Sequence, residues 1–189
     1  TVLTYALARA REHGALGIDV FGSGQHFDID VRIGAGAYIC GEETSLLESL
    51  EGKRGVIRAK PPLPAISGLF KQPTLVHNVL TLAATSTVLA AGGAHYEHFG
   101  VGRSRGTMPF QLGGNVLRGG LVEVPFGLTL RDLVMDYGGG TRSGRPIKAV
   151  QVGGPLGRYL PESALDVVLG YEELAAGGGL LGHGGGVVF

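Results

Sequence analysis

Phe27-Asp28-Ile29-Asp30-Val31-Arg32-Ile33, followed by Gly34-Ala35-Gly36-Ala37, Tyr38-Ile39-Cys40-Gly41-Glu42-Glu43 and Thr44-Ser45-Leu46-Leu47-Glu48-Ser49-Leu50, decides how the chain is read. Apolar residues at every second position predict a strand over 27–33, and the glycine-rich stretch carries it into a helix beginning near Thr44. In α/β folds small ligands settle at such strand ends, because glycine admits close backbone approach and the N–H groups of a helix start are unpaired. Two adjacent carboxylates stand at this helix start. The positive end of the helix dipole favours Glu42 and Glu43, but their charge repels a phosphate at the same spot, so sugar hydroxyls and carboxamide N–H groups fit better there. Ordinary first-turn glutamates, solvated and weakly stabilising, are the alternative for the same pair.

At 189 residues the chain can bury one large core or two small ones. Its formal net charge is zero and no run of Lys or Arg stands out, so it has no electrostatic footprint for nucleic acid or an anionic membrane. No apolar stretch reaches about 18 residues and the start has no signal-peptide pattern, so neither direct membrane insertion nor export is expected. The single cysteine, Cys40, excludes an internal disulfide framework and fits a reducing, cytoplasmic location. It is read as a small packed residue rather than a nucleophile. The 35 glycines follow no fixed period, which excludes collagen, and they interleave with helix and strand patterns, which argues against disorder. The six histidines are scattered over loops and helix ends, so no Ser/His/Asp or Cys/His constellation can be assembled.

Punctuation organises the rest. Thr1 to about Glu12 reads as a helix with Val2, Leu3, Leu7 and Ala10 on one side, closed by Gly14 and Gly17. Pro61-Pro62-Leu63-Pro64 is expected to run as an extended, stiff connector. Asn78 is a preferred N-cap for a helix from Val79 to about Ala91, which Gly92-Gly93 ends. The segment 94–106 is taken as the domain boundary. Beyond it, Met108–Leu112 and Leu121–Val124 flank a turn containing Arg118-Gly119-Gly120 and predict a hairpin. Thr129 offers an N-cap for Leu130 to about Tyr137, which Gly138-Gly139-Gly140 closes. Ile147–Val152 then completes a β-β-α-β unit. Gly177-Gly178-Gly179, Gly182 and Gly184-Gly185-Gly186, ahead of a final Val-Val-Phe strand, read as structural loop rather than as a phosphate cradle.

Several long motifs carry a resemblance. The stretch from Gly34 to Arg54, with Lys60-Pro61-Pro62-Leu63-Pro64, Ser67-Gly68, Lys71-Gln72-Pro73-Thr74 and His77-Asn78-Val79, resembles the flavoprotein that takes electrons from NADH in respiratory complex I. It is also similar to the diaphorase subunit of NAD-reducing hydrogenases. Gly102–Asn115, Pro125–Leu130 and Gln151–Gly157 are most similar to the β subunit of NAD-dependent molybdenum or tungsten formate dehydrogenases. The resemblance covers essentially the whole chain. It implies an α/β architecture: the C-terminal part of a Rossmann-like FMN/NADH-binding domain over 1–100, then a small ubiquitin-like, ligand-binding β-grasp domain over 107–189.

By the same resemblance, Tyr38 lies beside the isoalloxazine ring of FMN, Gly41 and Glu42 present backbone and carboxylate to the flavin, and Glu43 accepts hydrogen bonds from NADH. The family places an FMN-contacting asparagine pair where this chain has His77 and Asn78; Asn78 carries over, and His77 keeps one imidazole donor. Leu63 stands where complex I proteins commonly stack an aromatic on adenine, and it offers apolar contact without a π-face. Hydride passes directly between nicotinamide C4 and flavin N5, so the protein must stack two rings and exclude water, with no general base. Glu43→Gln is expected to relax exclusion of the 2′-phosphate of NADPH, because a repelling charge is removed.

The family's glycine-rich phosphate-binding region precedes this stretch and its four-cysteine [4Fe–4S] motif follows it; one cysteine cannot ligate that cluster. With no initiating Met and an abrupt Val-Val-Phe end, a fragment is expected. Its parent would bind FMN, NAD(H) and [4Fe–4S] and join an iron–sulfur small subunit and a catalytic large subunit. The 189 residues alone would bind flavin weakly or not at all. The alternative from another class is a non-catalytic structural or interaction module whose β-grasp half docks neighbouring subunits.

Overall fold

Thr1 opens the first helix by accepting a hydrogen bond from Thr4 N on its hydroxyl, and α1 runs over Val2–Glu12. The computed structural model describes all of residues 1–189. It divides into two compact units, Thr1–Val76 and His77–Phe189. This division differs from the one expected within 94–106, a segment that lies inside the second unit.

The first unit contains no sheet. Gly17 and Phe27 form an isolated antiparallel bridge, and residues 28–37 adopt no regular secondary structure. The strand predicted over 27–33 is therefore corrected. Alternation specifies which side chains would share a face, but a strand also needs a neighbour for its N–H and C=O groups, and this unit offers none. A 3₁₀ turn at Tyr38–Gly41 leads into α2, Glu43–Leu50. The proline run is also corrected: Ile66 N and Ser67 N both donate to Leu63 O, so the chain turns there instead of running extended. Among the Leu, Ile, Val, Phe and Tyr residues of this unit only Leu47 is buried.

The second unit begins with α3, Val79–Ala91, the helix anticipated from its cap. Gly92 ends it and α4, Gly93–Glu97, follows. A small ribbon of β1 (Gly100–Val101) and β2 (Ser104–Arg105) precedes the main sheet. The anticipated hairpin is β3 (Thr107–Gly114) and β4 (Gly120–Pro125), antiparallel, with Phe110 opposite Val122. Thr129 and Asp132 form a reciprocal capping box at the start of α5, Leu130–Asp132, which continues as a π-turn through Tyr137. Then come β5 (Ala149–Val152), β6 (Arg158–Pro161), α6 (Tyr171–Ala176) and β7 (Gly185–Val188).

The five strands lie in the order β4-β3-β7-β5-β6, antiparallel except for the parallel pair β3 and β7. Period-2 patterning sends Met108, Phe110 and Leu112 of β3 to one face, each at most 4% exposed. Val124, Val150, Val152, Leu160 and Val188 join them, and Leu130 of α5 with Leu133 and Val134 of the π-turn belong to the same apolar cluster. Burial of this kind is the main favourable term in folding, and here it lies in the second unit.

Candidate functional site

The first unit holds Tyr38, Gly41, Glu42, Glu43 and Leu63. Residues Val31–Ala37, with Cys40, Gly41, Leu46 and Gly55, border a cleft of about 940 Å³. No backbone N–H from Asp30 to Ala37 finds an acceptor within the chain. At Gly34, Gly36 and Gly41 the space a Cβ would occupy is open. Tyr38 is largely exposed and its hydroxyl has no partner.

Glu42 is engaged structurally. It is the N-cap of α2, where one carboxylate oxygen accepts from Thr44 Oγ1 at 2.6 Å and Ser45 N at 2.8 Å. These bonds, the Thr44 hydroxyl foremost, hold its carboxyl down to about 2 from an ordinary 4.5. Glu43 pairs with Lys60, whose ammonium also lies 3.7 Å from Glu42 Oε1. The hydrogen bond to Glu43 raises the pKa of Lys60. Both carboxylates thus meet a cation from the Lys-Pro-Pro stretch, and Leu63 sits in the same stretch, half exposed.

Local pattern reading did not reveal what fixes α2 to the following segment. Arg58 forms ion pairs with Glu48 and, at 2.8 Å, with Glu51, and donates to Gly68 O at 2.9 Å. Glu51 also accepts from Phe70 N at 2.8 Å, and Arg58 N donates to Thr44 Oγ1 at 3.0 Å. Lys53 first, then Arg58, brings the Glu51 carboxyl down to about 2. The only sequence signal was charge spacing across the Gly52 turn.

His77 and Asn78 fall in the second unit. His77 is exposed and has no hydrogen-bond partner in the chain. Asn78 caps α3 as anticipated, its Oδ1 accepting from Leu80 N at 3.0 Å. Its amide nitrogen lies 2.7 Å from Nε2 of His183, a residue to which no sequence motif points. His183 belongs to the loop Gly182–Gly184 that enters β7. That loop is structural, as expected: a Cβ at Gly184 would stand 2.5 Å from Pro109 O.

A family model described as the Nuo51 FMN-binding domain matches residues 1–87. The chain is 47% identical over 186 residues to the NADP-reducing hydrogenase subunit HndC of Solidesulfovibrio fructosivorans, covering 98% of this chain and 38% of that protein. The chain is a member of the complex I flavoprotein family. Its other relatives include an NADH-quinone oxidoreductase subunit of Rhizobium meliloti (strain 1021), 46% identical over 97% of this chain and 44% of that one. The corresponding NADH-quinone oxidoreductase subunit of Escherichia coli (strain K12) is 43% identical over 95% of this chain and 40% of that one. Among solved structures, a chain of an NAD⁺-reducing [NiFe]-hydrogenase in the H₂-reduced state superposes over the whole chain with a TM-score of 0.79, at 36% identity and 31% coverage of that chain. The chain therefore spans less than half the length of these relatives.

The matched region contains every site residue expected from the sequence. Flavin recognition asks for donors to ring carbonyls and for open backbone beside the ring and the ribityl chain, and the residues 30–41 satisfy both demands. A cleft of about 940 Å³ is in the range that holds small cofactors. No helix is long and apolar enough to cross a membrane.

Proposed function

We propose that the chain forms part of the flavoprotein subunit of an NAD-linked, FMN-dependent oxidoreductase, in which electrons pass between NAD(H) and FMN and onward to iron–sulfur clusters. The observation that carries this reading is the FMN-binding-domain match over residues 1–87, in which Val31–Ala37, whose backbone N–H groups are unpaired, border an open cleft. When bound, FMN supplies the exchange between a hydride and single electrons. The chain supplies position. Tyr38 contributes an exposed aromatic edge, Gly41 a backbone without a side chain, and Glu42 a carboxylate already fixed by its cap. Glu43 accepts from NADH, with Lys60 balancing its charge, and Leu63 gives the adenine an apolar contact. His77 offers a free imidazole and Asn78 its amide. No side chain has to move a proton.

Within this reading the assembly is an NAD-dependent formate dehydrogenase, cytoplasmic, with an iron–sulfur small subunit and a catalytic large subunit as neighbours. The segments Gly102–Asn115, Pro125–Leu130 and Gln151–Gly157 support it over a complex I or hydrogenase setting. The strand order β4-β3-β7-β5-β6 around a parallel central pair, with α5 on one face, supports a β-grasp domain over 107–189. Residues 1–100 are then the C-terminal part of the flavin domain.

One observation favours the interaction-module alternative. The main apolar cluster lies wholly within 108–188, whereas the first unit buries a single large aliphatic side chain. The two readings separate by anaerobic addition of NADH to the FMN-loaded chain. Bleaching of flavin absorbance faster than for free FMN, slowed by Glu43→Gln, supports the oxidoreductase. Bleaching at the rate of free FMN supports the module.

A further inference from the structure

The hydroxyl of Thr44 has one hydrogen to give and lone pairs with which to receive. What it gives is settled: Oγ1 stands 2.6 Å from Oε2 of Glu42, and an ionised carboxylate can only accept. What it receives is settled too, because Arg58 N donates to the same Oγ1 at 3.0 Å. Thr44 is 1% exposed, so water does not compete for either bond. Oε2 of Glu42 also accepts from Ser45 N at 2.8 Å. Two donors fill the two in-plane lone pairs of that oxygen. Oε1 is left without a hydrogen bond, since the Lys60 ammonium stands 3.7 Å away and is bonded to Glu43. The Glu42 side chain stays 29% exposed, which keeps it approachable.

We infer that Thr44 is a positioning residue of the flavin site: its buried hydroxyl, held by the backbone of Arg58, ties up one oxygen of the Glu42 carboxylate and leaves Oε1 as the acceptor that meets the cofactor. Glu42 then receives a donor of FMN, the ring N3–H or a ribityl hydroxyl, and its charge keeps the phosphate away. This rests on the FMN reading above and deepens it. All the groups belong to the first unit, and Glu42 directly follows Gly41, which borders the cleft. Capping α2 requires only the bond to Ser45 N, so the Thr44 bond is an additional constraint on the carboxylate. That constraint has a firm backing. Arg58 is anchored by its ion pairs to Glu48 and Glu51 and by its bond to Gly68 O at 2.9 Å.

The test uses the full chain and two independent readouts. In ligand-free chain carrying ¹³C-carboxyl glutamate, the Glu42 resonance, assigned by its loss in Glu42→Gln, should stay flat between about pH 6 and pH 4. Glu43 and Lys60 are the charged groups facing it, and neither is altered by changes at Thr44. Thr44→Val should make Glu42 titrate within that window, and Thr44→Ser, which keeps the hydroxyl, should leave it flat. In FMN titrations at neutral pH, Glu42→Gln can still cap α2 through its amide oxygen but presents NH₂ in place of an acceptor, so binding should weaken about tenfold. Thr44→Val should weaken it about three- to tenfold and Thr44→Ser by no more than about twofold. The double variant Thr44→Val with Glu42→Gln should bind no worse than Glu42→Gln alone, because Thr44 acts through that carboxylate. Titration of Glu42 within the window in the parent, unchanged affinity in Glu42→Gln, equal affinity in Thr44→Val and Thr44→Ser, or additive losses in the double variant overturns the inference directly. The expected titrations in chains that bind no FMN overturn it through the flavin reading instead.

Discussion

Gly184→Ala should destabilise the second unit by about 2–5 kcal/mol, the sum of a left-handed backbone conformation and a contact with backbone that cannot retreat. The first contribution comes from φ +74°, worth about 1–2 kcal/mol for a residue with a Cβ. The second arises because that Cβ would lie 2.5 Å from Pro109 O, while Gln111 N is bonded at 2.9 Å to Gly184 O and holds the two segments together. Overpacking of this kind costs about 1–3 kcal/mol. Gly144→Ala is the matched control: its φ is +69°, but nothing lies within 4 Å of the new Cβ, so only the backbone contribution remains. Urea unfolding followed by circular dichroism reads both variants. With a slope of about 1–3 kcal/mol per molar urea, Gly184→Ala should lower the midpoint by roughly 1–2 M and Gly144→Ala by clearly less. Equal midpoints for the two variants would refute the claim that the β7 loop is wedged against β3.

Acid should act first on α2 and its ties. Glu42 and Glu51 are held to about 2 in the folded chain, against an ordinary 4.5. A depressed carboxylate stabilises fully above its unfolded pKa, and that contribution fades as pH falls from about 4.5 through about 2. Urea midpoints of the first unit should drop across this window, and Glu51→Gln should flatten the drop. Limited proteolysis should cut within 28–37, which lacks regular structure, before it cuts β3 or β4; early cleavage in that hairpin would contradict the distribution of the core. Thr129→Ala removes half of the α5 capping box and should cost about 0.5–2 kcal/mol in the same unfolding assay.

Where the physics was local, the sequence was sufficient. Asn78 and Gly92 bound α3 as their side chains and backbone preferences dictate, and Thr129 announced α5. Alternation in Met108–Leu112 placed the hairpin because Leu121–Val124 stood close by to pair with it. The same alternation misled at Phe27–Ile33, since a strand is a relation between two segments and only one was in view. The proline run was misread for a similar reason: the turn it makes is closed by N–H groups of Ile66 and Ser67, beyond the run itself. Helix α6 and strand β6 went unannounced, and β6 is defined by pairing with β5. At the candidate site the first-turn carboxylates were legible, but their partners were less so. Lys60 lies 17 residues from Glu43, and His183 lies 105 residues from Asn78. No spacing rule links such pairs. Family resemblance supplied the flavin, and the hydrogen bonds of the folded chain supplied the hold of Thr44 on Glu42.

Titration of FMN with the purified chain, followed by quenching of flavin fluorescence, tests most directly whether these residues carry a flavin. Weak but saturable quenching, loosened by Asn78→Ala and by Tyr38→Phe, is the predicted result. Quenching that is equal in both variants and the parent would contradict the placement of Asn78 and Tyr38 at the flavin, and emission left unchanged by a cooperatively folded chain would contradict flavin binding by these residues on their own and favour the interaction module.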